Sequence, residues 1–212
     1  MVKWGLPERI RMDNGMPWAT QSTLPSALAL WLVGLGILPV YSRPARSTDN
    51  AIVERSHGVL AKWVAPAQRH HFNDCQQQLA WAVNTQIHRY RCAGGQTRAQ
   101  RYPSLFANPR RYMLEQESEI WSMQAIVDYL SQFHFQRKVE KAGQITLFAN
   151  TYGVGRAYAR QTVEITLDVD SQEWVIHSEF GQEIRRHPNR ELTYETIAQL
   201  RLAKRRRGDK TS

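Results

Sequence analysis

Apolar side chains in the first part of the chain recur at helical spacing and then as a short continuous run. From Thr23 to Leu35 they fall every three or four residues, which predicts a core-facing helix of about three turns. Gly34 and Gly36 mark its exit, and the run Ile37–Tyr41 that follows predicts a short buried strand. Upstream, a short strand is predicted to end just before position 13.

Two longer helices are predicted next. Asp49 or Asn50 can cap the first, whose apolar positions continue to a stop at Pro66. The second runs from about Asn73 to Tyr90, with apolar residues spaced by four. This half of the chain therefore alternates short strands with helices.

The second half changes character after residue 133. Before that point, Ser118 or Ser122 introduces a short helix. Beyond it the hydrophobic period becomes two, and the clearest alternation involves Val163, Ile165, Leu167 and Val169. Turn-forming dipeptides divide this region into about five short strands, a spacing that suits a small antiparallel β-barrel with Trp174 and Ile176 in its core.

The charge balance favours a polyanionic partner. The net charge is +9 and the pI about 9.9, which fits DNA, RNA or an anionic membrane surface. No acid lies between Asp74 and Glu115, whereas six arginines do: Arg89, Arg91, Arg98, Arg101, Arg110 and Arg111. This segment is a candidate for following a nucleic-acid backbone, and a solvated basic linker is the alternative.

Cysteine usage and hydropathy indicate a cytoplasmic protein. Cys75 and Cys92 are too far apart for a CxxC pair and too few for a disulfide framework. The most apolar run, 24–40, contains two prolines and two glycines and is shorter than the roughly 20 apolar residues of a membrane span. We therefore expect no membrane association and, given a DNA partner, a nucleoid location.

Two acids stand in an informative order. Asp13 begins an Asp-Asn-Gly turn at the end of the first predicted strand, and Glu54 lies in the second turn of the helix that follows the basic loop. Either acid alone has a bland interpretation, because Asp commonly forms such turns and a single helical Glu is commonly a solvated surface acid. Together they could supply part of the carboxylate cage that two-metal phosphodiester chemistry requires.

In this order the stretch resembles the second half of the catalytic core of insertion-sequence transposases and retroviral integrases. The resemblance implies a ribonuclease-H-like fold in which Asp13 matches the second catalytic Asp and Glu54 the catalytic Glu. Both would then bind Mg²⁺ and serve phosphodiester transfer in DNA integration or transposition. The 40 residues between them exceed the retroviral spacing and are compatible with a bacterial element.

The resemblance continues into the region that reads as a β-barrel. The positions that carry it there are Tyr129, Leu130, Arg137, Val139, Gly143, Tyr152, Val154, Gly155 and Val163. One departure stands beside the match, since only 12 residues precede Asp13 and none of them is Asp. Glu8 is too close to Asp13 to occupy a neighbouring strand, so we expect a chain that is truncated before the first catalytic Asp and inactive alone.

The expected architecture is α/β plus all-β. Residues 1–92 form the incomplete, mostly helical ribonuclease-H-like core, 93–132 a basic linker with a short helix, 133–192 the five-stranded barrel and 193–212 a basic tail. Expected DNA contacts are basic residues and one histidine of the core and barrel: Arg43, Arg46, Arg55, His57, Lys62, Arg137, Lys138, Arg156, Arg160, Arg185 and Arg186.

Three functional hypotheses follow. In the first, the chain takes part in transposition, binds element ends and target DNA, and associates with other copies or a full-length transposase. In the second it is a non-enzymatic DNA-binding remnant that inhibits the intact enzyme. In the third it is a degraded reading frame whose half-core leaves apolar helix faces uncovered, with Trp31 and Leu35 exposed.

Overall fold

A computed structural model describes residues 1, 4–15, 24–43, 48, 51–68, 71–92, 94–107 and 110–199. The chain divides into two compact units. The strand-containing unit is built from Glu8–Tyr41 and the segment that begins at Glu115, and the helical unit from Met1–Pro7 and Ser42–Leu114. Each contains helices, and mixed helix and sheet place the chain in the α+β class.

The strand-containing unit begins with a parallel strand–helix–strand element. Strand β1 (Arg9–Met12) leads through helix α1 (Ala27–Gly34) to strand β2 (Leu38–Tyr41), and β1 pairs with β2 in parallel. The two predicted strands and the helix are thereby confirmed, but the prediction that β2 is buried was only partly right, since Leu38 is 42% exposed and Pro39 is the one buried residue of the strand. The helix is shorter than the three turns expected because the Ser26 hydroxyl caps it, accepting a bond from the Ala29 amide at 3.1 Å.

The apolar face of α1 is covered, contrary to the expectation for a degraded frame. Leu35 is only 3% exposed and Trp31 is half-buried. The Trp31 indole nitrogen donates to the Glu117 carboxylate at 2.9 Å. The expectation that these two residues are exposed was wrong, since α1 packs with a later helix and strands of the same unit.

Two short helices lead into the main sheet. Helices are numbered in chain order, and the helical unit contains α2 (Ala51–Val64), α3 (Phe72–His88) and α4 (Arg98–Arg101). The two short helices are therefore α5 (Glu117–Ile120) and α6 (Met123–Leu130). Of the two serines that could begin the predicted helix, Ser122 is the cap of α6, because its hydroxyl accepts from the Ala125 amide at 3.2 Å.

Six strands and a last helix follow: β3 (Phe135–Lys138), β4 (Gln144–Leu147), β5 (Asn150–Gly153), β6 (Thr162–Leu167), β7 (Glu173–His177), β8 (Glu183–Pro188) and α7 (Tyr194–Ala198). Four of the strands form one antiparallel sheet in the order β3-β6-β7-β8, and β4 and β5 form a separate hairpin. Between 135 and 188, all of which is described, no strand pairing closes the four-stranded sheet.

The count of six strands rather than five has a local cause. Phe148 and Ala149 form the turn between β4 and β5 with φ of 46° and 70°, a conformation that usually requires Gly or Asn. No turn is therefore evident in the sequence at that point. The alternating strand also ends early, at Leu167, because the Asp168 carboxylate accepts from the amides of Asp170 and Ser171 and turns the chain before Val169.

The core of this unit lies between α1, α6 and the strands. Trp174 and Ile176 are completely buried, as predicted. The buried carboxylate of Glu191 fastens the hairpin to the sheet, since it accepts from the Trp174 indole at 2.8 Å and also from the Tyr152 hydroxyl. Burial and that bond raise the pKa of Tyr152.

The helical unit contains α2 (Ala51–Val64), α3 (Phe72–His88) and α4 (Arg98–Arg101). The two long helices are confirmed, while both candidate caps, Asp49 and Asn50, lie outside the described residues. Trp63 of α2 packs on Trp81 and Tyr90, with ring centroids 6.0 and 5.7 Å apart. Over the described ranges, no helix is both long enough and apolar enough to cross a membrane.

Candidate functional site

Asp13 lies at the carboxyl end of β1. Its Oδ1 accepts a bond from the Gly15 amide at 3.0 Å, which fixes the predicted turn, and the residue is exposed. Because β1 and β2 are parallel and Met12 pairs with Tyr41, the carboxyl ends of both strands share one edge. Active-site acids of open α/β sheets commonly occur at such an edge.

Glu54 lies on α2, in the first turn rather than the second, and is also exposed. An acid there interacts favourably with the positive end of the helix dipole. Asp13 belongs to the strand-containing unit and Glu54 to the helical unit.

Carboxylate oxygens are the ligands that Mg²⁺ prefers. Among the described residues, however, no group of three or more His, Cys, Asp or Glu side chains is arranged to hold a metal ion. Asp13 and Glu54 are thus of the right chemical type, but the described part of the chain contains no complete ligand set.

The expected DNA contacts of the barrel region are spread over the sheet. Arg137 and Lys138 lie on β3 and Arg185 and Arg186 on β8, and these strands form opposite edges. Arg160 is exposed and its amide bonds to the Val139 carbonyl, so its backbone lies beside the end of β3. Lys138 and Arg160 are therefore closer neighbours than the sequence indicates.

Two of these arginines have competing interactions. Arg186 donates to Asp168 at 3.1 Å and to Glu183 at 3.0 Å, and those carboxylates offset its charge. Arg137 is half-buried, and burial lowers the pKa of its guanidinium. Arg156 and Arg185 are exposed.

The expected contacts of the core region are mostly exposed. Arg43, Arg55, His57 and Lys62 are all accessible, and the last three lie on α2. Arg46 lies outside the described residues.

A cavity of about 520 Å³ opens between the first turns of α2, the carboxyl end of α3 and α4, all within the helical unit. Its charged and aromatic lining consists of Arg55, Tyr90, Arg91, Arg98, Arg101 and Tyr102. None of the described residues that line it is acidic. The volume is within the usual range for small-ligand sites.

One buried side chain supports this cavity. Gln86 is only 6% exposed and bridges α3 to α2, because its Oε1 accepts from the Ser56 hydroxyl at 2.9 Å. The backbone carbonyl of Gln86 in turn accepts a hydrogen bond from Arg98 Nη1 at 3.0 Å. Arg98 is therefore held in place.

The sequence identified part of this site only. The acid-free segment contains three of its four arginines, but both readings of that segment, a backbone-following strip or a solvated linker, treat it as open surface. Convergence with Arg55, more than 30 residues upstream, is a property of the α2–α3 packing. No family model matches the sequence.

Proposed function

We propose that this protein takes part in DNA transposition or integration, as the part of a polynucleotidyl transferase that carries the second Asp and the Glu of its carboxylate triad. The observation that carries the proposal is the parallel β1–α1–β2 element with Asp13 at the carboxyl end of β1. A ribonuclease-H-like core places its second acid at such a strand end. Glu54, exposed in the first turn of α2, is in the order along the chain that this family requires.

The proposal gives both acids the same role. Asp13 and Glu54 would each offer carboxylate oxygens to Mg²⁺, which in such enzymes activates the attacking oxygen and stabilises the leaving one. A third carboxylate would have to come from outside the described residues. The open sheet and the hairpin after residue 133 would serve as the DNA-binding part, with Lys138, Arg156 and Arg160 as phosphate contacts.

A mobilisation assay in cells tests this proposal. The gene is expressed together with the DNA upstream of the Met1 codon, and excision of a marked element is counted. We expect Asp13→Asn and Glu54→Gln each to reduce excision by at least about a hundredfold, because a metal ligand is lost. Asp74→Asn, which changes an exposed acid on α3, should leave it within about twofold of the starting protein.

The opposite result is equally clear. Excision that persists in Asp13→Asn, or an upstream region that encodes no strand-borne Asp in any frame, would contradict the enzymatic proposal.

A second candidate function is DNA binding without catalysis. The arginine-lined cavity and the exposed basic residues favour it, because neither needs a metal ion. The purified chain would then bind DNA in a salt-sensitive manner and leave supercoiled plasmid intact in Mg²⁺ or Mn²⁺. Metal-dependent nicking that disappears in Asp13→Ala would rule this candidate out.

A further inference from the structure

Four arginines line the cavity of the helical unit. Arg55 comes from α2, Arg91 from the segment after α3, and Arg98 and Arg101 from α4. The described lining residues include four basic side chains and no acid, a balance that favours an anionic ligand. Arginine forks match the oxygens of phosphate better than a point charge does.

The backbone that carries Arg91, Arg98 and Arg101 is held by hydrogen bonds within the chain. Arg91 pairs with Thr97 in an isolated bridge, and the Cys92 amide donates to the Gln96 carbonyl at 2.9 Å, which closes the loop between α3 and α4. Thr97 and Gln100 then form a capping box at the start of α4. A site on such a framework loses little conformational entropy on binding.

Aromatic and apolar groups stand beside the charges. Tyr90 and Tyr102 are 46% and 49% exposed, and the Arg101 guanidinium lies 5.6 Å from the centroid of the Tyr102 ring. Ala51, Ile52 and Val59 of α2 contribute apolar side chains to the lining. A bare phosphate would use only the arginines, whereas a nucleotide would also stack its base on a tyrosine.

We infer that this cavity binds a nucleoside phosphate, with the phosphate held by Arg55, Arg91 and Arg101 and the base against Tyr90 or Tyr102. The nucleotide is either free or one unit of a single strand, since both present the same chemistry. The inference deepens the proposed DNA-binding role. It rests on that role only for the choice of a DNA strand as one source of the nucleotide. Arg98, already bonded to Gln86, positions α4.

Binding measurements on the full chain test the inference. Fluorescence anisotropy follows a labelled single-stranded oligonucleotide and a duplex of equal length, and unlabelled nucleoside monophosphate and inorganic phosphate serve as competitors. We expect Arg55→Gln and Arg91→Gln each to weaken single-strand binding about tenfold. The double variant should bind with a shallower dependence on salt, the negative slope of log affinity against log salt losing about 1.4 in magnitude. Tyr102→Leu should weaken it about fivefold or more.

Arg9→Gln is the matched control, because it removes the same charge from an exposed residue of β1 that neither lines the cavity nor belongs to the acid-free segment. It should change affinity less than twofold. Circular dichroism of each variant verifies the fold, and since Arg55 and Arg91 are exposed we expect no change. If the nucleoside monophosphate competes with the oligonucleotide, the free nucleotide is a ligand of the cavity. If the oligonucleotide binds and the monophosphate does not compete, the ligand is a single strand. Either outcome supports the inference.

Three results would overturn it. The first is an equal loss of affinity in Arg9→Gln and Arg91→Gln. The second is inorganic phosphate that competes as well as the monophosphate. The third is duplex binding that the cavity variants leave unchanged, with neither single strand nor monophosphate bound. After that third result the proposed DNA function would still stand. If instead the cavity bound nucleotide and the chain bound no duplex, the proposed DNA function would fail and the inference about the cavity would stand.

Discussion

Gly34 is the last residue of α1, and its α-carbon faces the indole of Trp121. A methyl group there would overlap the indole Nε1 and Cε2 atoms, and the Gly34 carbonyl is fixed by the Ser122 amide at 2.8 Å. We predict that Gly34→Ala lowers the free energy of unfolding by about 1–3 kcal/mol, through overpacking. Urea titration followed by tryptophan fluorescence measures the change.

Gly58 provides the control for this substitution. It lies inside α2, and a β-carbon there would meet nothing within 4 Å. Gly58→Ala should therefore stabilise by about 0.5–1 kcal/mol, because alanine loses less conformational entropy in a helix. Equal effects of the two substitutions would show that the contact with Trp121 is not as described.

Tyr41, the last residue of β2, makes stability depend on pH in the alkaline range. Burial, and secondarily the nearby Tyr129 hydroxyl, raise the pKa of Tyr41 to about 12 from 10.0. Between these values the unfolded chain has lost the phenolic proton and the folded chain retains it, so the folded state binds more protons and stability falls as pH rises.

We therefore predict that unfolding midpoints in urea fall progressively between pH 10 and about 12, and that Tyr41→Phe makes the fall shallower. The measurement is a series of urea titrations at fixed ionic strength. A slope that is unchanged in Tyr41→Phe would assign the alkaline sensitivity to other groups.

At the scale of elements, the cap of α6 decides between two serines that the sequence left open. Ser122 accepts from the Ala125 amide, whereas Ser118 lies within α5 and is exposed. We predict that Ser122→Ala lowers the free energy of unfolding by about 1 kcal/mol, since α6 loses the hydroxyl that caps its first turn. Ser118→Ala should stay within about 0.5 kcal/mol, and thermal denaturation of both variants measures the difference.

Elements with strong local patterns could be predicted, and elements set by side-chain detail could not. Period-two alternation located β6, and the helical spacing located α2 and α3. The β4–β5 turn could not be predicted, because Phe148 and Ala149 adopt positive φ angles, which these residue types rarely do. At the candidate site, the turn at Asp13 was identifiable from the sequence, while the cavity depends on Gln86, a residue with no distinctive sequence pattern.

Across the whole molecule, burial is uneven between the two units. Val64 is the only buried residue of α2, and α3 buries only Ala82 and Gln86, whereas β7 buries Trp174, Val175 and Ile176. Large apolar side chains of the helical unit, among them Ile52 and Phe72, are widely exposed at 82% and 75%. A unit with fewer buried contacts opens more readily.

We predict that native-state hydrogen exchange is faster for the amides of α2 and α3 than for those of β6 and β7. Mass spectrometry of peptic fragments resolves the two groups. Equal protection would mean that the helical unit gains stability from something other than its own burial, such as bound nucleic acid.

Both candidate functions, transposition and DNA binding without catalysis, require that the chain binds DNA. The most direct test of DNA binding is an equilibrium titration of a duplex across a range of salt concentrations. With several exposed arginines and lysines in each unit, log affinity should fall linearly with log salt with a slope of about −4 or steeper. Absence of binding at low salt, or an affinity that does not change with salt, would contradict the account.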